Sequence, residues 1–177
     1  MFTRFVSALA GILAIAAPAV AQEFGDDYAV VGQFDLAIGE DTATLYSLDI
    51  LPENRPGIER HEVMGQVFFN IGGYAESDGK PAKPQIEVQI GPGTFPPKTI
   101  SSVTLLMDGA MFLSDADVGG SATISNVVWG DDGSLSFDFA SLVRSARYGA
   151  DGAFEPVAPD LPLLEVEGHF AGMVAPK

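Results

Sequence analysis

ATISNVVWGDDGSLSFDF, residues 122–139, is the stretch whose reading decides the fold. Before GDDG, Ala122, Ile124 and Val128 share one parity; after it, Leu135, Phe137 and Phe139 share another. Period two on both flanks is the mark of half-buried strands. Gly130, Asp131, Asp132 and Gly133 are residue types that tolerate the backbone of a tight connection, so the segment predicts a β-hairpin. The competing reading is a metal loop. Calcium takes about six to eight oxygens, of which Asp131, Asp132 and Asp138 would supply some, but their spacing matches no recognised loop.

The same alternation recurs outward in both directions. AVVGQFDLAIGEDTATLYSLDI, residues 29–50, reads as a strand pair: Val30, Phe34, Leu36 and Ile38 share one parity before the GED turn, and Thr44, Tyr46, Leu48 and Ile50 share one after it. EVMGQVFFNIGG, residues 62–73, carries apolar side chains on both parities and reads as one central strand. PQIEVQIG, residues 84–91, sets Ile86, Val88 and Ile90 against Gln85, Glu87 and Gln89, a strand with one wet face. ISSVTLLMDG (100–109) and LLEVEGHFAGMV (163–174) continue the pattern.

Between these runs, LPENRPGIERH (51–61), YAESDGKPAK (74–83), PGTFPPKT (92–99) and YGADGAFEPVAPDLP (148–162) read as loops, on their Pro, Gly and Asp content. AMFLSDADVGG (110–120) reads equally as a short strand or an irregular loop, and FASLVRSARY (139–148) admits two helical turns beside the strand reading. About eight strands without a sustained helical period predict one all-β domain: an antiparallel β-sandwich, with a closed β-barrel as the alternative.

The first residues, MFTRFVSALAGILAIAAPAVAQ, place Arg4 before an apolar run that closes on Ala19, Val20 and Ala21. That is the pattern of a secretory signal peptide over 1–21, leaving a single domain over 22–177 that begins at Gln22, with no membrane span once the signal is removed. The expected location is outside the cytoplasm, in the periplasm or released. Zero cysteines exclude disulfides, thiolate metal sites and a cysteine nucleophile. Residues 22–177 hold eight of the nine cations and all twenty-four acids, for a formal charge of −16. Such a chain repels phosphate backbones and anionic lipid, which argues against nucleic-acid partners. A protein or a small molecule is the expected ligand.

Candidate sites are sparse. Asp115 and Asp117, followed by Gly119 and Gly120, mimic the opening of a calcium loop and are the candidate metal ligands, although the twelfth position, where an EF-hand wants Glu, is Asn126. His169 shares a strand face with Glu165 and Glu167, an arrangement that would bind an ion only with help from a neighbouring strand and that otherwise lines the solvent side. His61 sits among Glu59, Arg60 and Glu62 and reads as solvated. No Gly-x-Ser-x-Gly elbow, GxGxxG or GxxxxGK[ST] occurs, so no catalytic residue and no organic cofactor is expected. The favoured function is binding or structural association without catalysis; the alternatives are a barrel carrier of a small apolar ligand and a calcium-stabilised module. Intact-mass measurement of the exported protein is expected to give a chain that begins at Gln22.

Overall fold

The computed structural model describes residues 24–93 and 99–174. The predicted signal segment and most of the PGTFPPKT connector therefore lie outside the described residues. The strands are β1 (Tyr28–Ile38), β2 (Asp41–Ile50), β3 (Ile58–Val63), β4 (Gln66–Ser77), β5 (Lys80–Gly93), β6 (Ile100–Met107), β7 (Ala110–Leu113), β8 (Ser121–Trp129), β9 (Ser134–Tyr148), β10 (Phe154–Pro156) and β11 (Leu164–Met173). Two short 3-10 turns, Leu51–Glu53 and Ala116–Val118, are the helical elements among the described residues.

Every pairing between these strands is antiparallel, and the order β9-β11-β1-β2-β4-β5-β6-β7 returns to β9. The result is a closed eight-stranded barrel, the second of the two all-β arrangements expected from the sequence. Two joints make it a barrel and not a sandwich. The last strand lies against the first, with Phe170 opposite Phe34. The fifteen-residue β9 pairs with β11 and β8 along most of its length and with β7 and β10 near its end. Neither joint has a local signature, since each depends on segments distant in sequence.

Inward-facing side chains fill the barrel. Phe34, Phe69, Ile71, Ile86, Val88, Val103, Leu105, Leu135, Phe137, Val166 and Phe170 are all essentially inaccessible to solvent and form one contiguous cluster. Phe170 is the hub, its ring 4.7 Å from that of Phe34 and 5.2 Å from that of Phe137. An eight-stranded barrel is just wide enough for side chains to fill. Here the fit requires glycine: a Cβ built at Gly168 would lie 2.5 Å from Phe139 and 2.6 Å from Leu36, and one at Gly73 would lie 2.6 Å from Phe34.

The outward face is polar, with Asp35, Thr44, Glu165, Glu167 and His169 exposed. A lipid-spanning barrel needs an apolar band on its outside. Among the described residues no helix is long and apolar enough to cross a membrane.

The structure corrects several local expectations. EVMGQVFFNIGG is not one strand: Met64 and Gly65 both adopt positive φ and turn the chain, so β3 and β4 form a hairpin. That places the first four residues of β3, 58–61, inside the expected loop 51–61. YAESDGKPAK is likewise a hairpin, with Asp78 and Gly79 as its turn, because both flanks continue into paired strands. Residues 139–148 are strand, since both edges of β9 are occupied by partners. In β2 the buried positions are Leu45, Ser47 and Leu48, so Thr44 and Tyr46 face outward instead of sharing the core side with Leu48. In β8 a bulge between Ser125 and Val128, with Asn126 at φ 52°, turns Val127 toward the core and Val128 outward. The GDDG hairpin forms as expected, with Gly130 N–H donating to Ser134 O and Gly133 N–H to Gly130 O.

Phe170→Ala is expected to destabilise the barrel by about 3–5 kcal/mol through the cavity it leaves. Gly168→Ala should cost about 1–3 kcal/mol through overpacking against Phe139. Denaturant unfolding of each variant against the parent measures both.

Candidate functional site

Strand register assembles on the outer wall what the sequence keeps apart. Thr44 on β2 lies opposite Asp35 on β1, Asp35 opposite His169 on β11, His169 opposite Asp138 on β9, and Asp138 opposite Ser125 on β8. One polar row thus crosses five strands. The next row, nearer the β1–β2 turn, runs Thr42, Ala37, Glu167, Ala140, Thr123. Its two alanines leave a shallow trough between the carboxylates of β1 and β11 and the hydroxyls of β8, lined by Asp35, Thr123, Ser125, Asp138, Glu167 and His169.

Side-chain hydrogen bonds gather the row into two groups, one around Asp35 and one around Asp138. The Asp35 carboxylate accepts from Gln33 Nε2 at 2.8 Å and from Thr44 Oγ1 at 3.2 Å. Asp138 uses both oxygens: Oδ2 accepts from Asn126 Nδ2 at 2.6 Å, and Oδ1 lies 2.6 Å from His169 Nδ1. The Asn126 amide first, and His169 second, hold the Asp138 carboxyl below its usual range. An ionised carboxylate can only accept, so Nδ1 of His169 is the donor and Nε2 is its outward nitrogen. The bulge in β8 serves this site, because the left-handed Asn126 is the residue that reaches Asp138.

A carboxylate that orients an imidazole is half of a hydrolytic triad. The other half is missing from the described geometry: no serine or threonine hydroxyl bonds to His169, whose side chain is 52% exposed. Among the described residues no group of three or more His, Asp or Glu side chains is arranged to hold a metal ion. The arrangement suits recognition by hydrogen bonds and charge.

Of the sequence-predicted candidates, His169, Glu167 and Asp138 line this trough, and the others fall elsewhere. Asp115 is the N-cap of the 3-10 turn Ala116–Val118, its carboxylate accepting from Asp117 N–H at 2.7 Å, and Asp117 is exposed on that turn. One oxygen of Asp115 thus serves the backbone, and among the described residues no third His, Asp or Glu joins this pair in a group arranged to hold a metal ion. The Asp132 carboxyl, on the GDDG hairpin, is lowered by its bonds to Ser134. His61 lies in β3, its Nε2 3.2 Å from Glu59. His169, Glu165 and Glu167 do share the solvent face of β11. Sequence reasoning missed Asp35, Asn126 and Asp138 as partners, because the pairings of β11 with β1 and β9 were not in view. No protein-family model, no curated protein and no solved structure matches this chain.

Asn126→Gly keeps the left-handed backbone and removes the amide donor. It is expected to raise the Asp138 carboxyl pKa toward the ordinary carboxylate value, read by NMR titration of the side-chain carboxyl. Because that pKa is depressed in the folded state, its contribution to stability is full above the unfolded value of about 3.9 and is lost as pH falls through the folded one. The stability gap between the parent and Asp138→Asn should therefore shrink on acidification.

Proposed function

We propose that this chain is an exported, acidic barrel that acts as a binding module through its outer surface and carries no reacting centre of its own. The observation that supports this reading best is the filled interior: Phe34, Phe69, Phe137 and Phe170 occupy the volume in which a barrel carrier would hold an apolar ligand. The charged side chains among the described residues lie on the other side of the wall, and the buried polar ones are the serines Ser47, Ser114 and Ser141. The row from Thr44 to Ser125 presents hydroxyl, carboxylate and imidazole groups at fixed spacing on a rigid sheet, the kind of support that keeps a recognition surface in place.

Export rests on the signal-like pattern over 1–21, and the charge supports it as a solubility device for a chain without disulfides. A partner that offers hydrogen-bond donors or positive charge fits the outer wall. Nucleic acid does not.

Native mass spectrometry of the purified mature protein is expected to show the bare chain. A stoichiometric lipid or other apolar adduct would instead support the carrier. Turnover of a hydrolase substrate that disappears on His169→Ala would overturn the non-catalytic reading.

A further inference from the structure

Three hairpins in this barrel use the same two-residue turn, with both residues left-handed. The φ values are 53° and 76° for Met64-Gly65, 55° and 73° for Asp78-Gly79, and 50° and 76° for Asp108-Gly109. Asp suits the first position, since its short polar side chain tolerates left-handed backbone. Met does not, and it brings no local hydrogen bond. Met64 is also 99% exposed and Val63 beside it 56% exposed, so neither residue is there to fill the core. One turn of three therefore breaks both the local rule and the burial rule, without compensation among the described residues. Such violations gather where a protein meets something else.

The surroundings say what that is. β1 begins, β2 ends, β4 begins and β11 ends at the barrel mouth to which this hairpin belongs, and Val30, Leu51, Val128 and Met173 are exposed there. Along β3, Arg60 lies 3.2 Å from Glu62 and His61 lies 3.2 Å from Glu59. Arg60 is thus offset by Glu62 and Glu59 remains, which leaves β3 a formal charge of −1 with its histidine neutral, in a mature chain of formal charge −16.

We propose that the β3–β4 tip is a docking knob: Met64, supported by Val63, inserts into an apolar pocket of a protein partner whose rim is cationic. Anionic lipid and a second copy of this chain are both opposed by its charge. The site lies apart from the polar row on the outer wall and does not depend on the role given to that row.

A synthetic amphipathic leucine–lysine helical peptide, an apolar face bordered by cations, is the probe, with its Kd measured by fluorescence anisotropy on the full mature protein. Met64→Asp should weaken binding about tenfold, the loss expected when one buried methionine side chain is withdrawn. Met64→Leu should retain it. Met64→Asp should melt no lower than the parent, because it restores the residue type of the other two turns. Equal affinity of Met64→Asp and parent, or no binding by the parent, overturns the proposal. So does Met64-dependent binding to phosphatidylcholine vesicles or a Met64-dependent dimer in sedimentation, which would make lipid or a second copy the occupant.

Discussion

Phenylalanine against glycine across a closed wall is the contact on which this molecule depends. Eight strands enclose a narrow interior, and the five buried rings of Phe34, Phe69, Phe137, Phe139 and Phe170 share it with branched aliphatic side chains. The rings fit because inward positions on neighbouring strands carry no Cβ: Gly73 leaves room for Phe34, Gly168 for Phe139, and Gly32 and Gly172 for Phe170. Large residues set against small ones let a small barrel close without voids. With no disulfide to support it, the chain relies on this packing for a unique register.

Register then places the outer chemistry. In a strand a one-residue slip exchanges faces, so burying Phe34, Phe137 and Phe170 leaves Asp35, Asp138 and His169 no choice but to point outward together. The polar row is a consequence of core packing, and its spacing is that of neighbouring strands. Only Asn126 enters the row by a different device, the bulge in β8 that turns its amide toward Asp138. The same bulge sends Val127 inward and Val128 outward, so one irregularity serves the core and the outer surface at once.

The turns show how local rules hold and where they are broken. Asp78-Gly79 and Asp108-Gly109 use residues suited to left-handed backbone, and GDDG closes through hydrogen bonds among Gly130, Gly133 and Ser134 with the Asp132 carboxylate accepting from Ser134. Asp115, read from sequence as a possible metal ligand, caps a single 3-10 turn. An acidic residue followed by glycine has two physical uses, oxygen donation to a cation and capping of backbone N–H groups, and spacing alone does not separate them. The Met64-Gly65 turn was hidden for a related reason: Met is apolar and extended the alternation of its neighbours, so the segment read as one long strand.

By itself, the sequence determined what depends on neighbours a few residues apart. The period-two burial of Phe34, Leu36 and Ile38, of Ile86, Val88 and Ile90, and of Leu135, Phe137 and Phe139 follows from the alternation of strand side chains, and the turn at GDDG from residue type. The solvent face of β11, with Glu165, Glu167 and His169, was legible in the same way. Tertiary structure alone decided that the sheet closes, that β7 joins β9, and that Asp35 and Asp138 flank His169. Those facts rest on hydrogen bonds between backbones far apart in the chain. Backbone groups are the same at every residue, and so leave no mark in the order of side chains until packing selects one register.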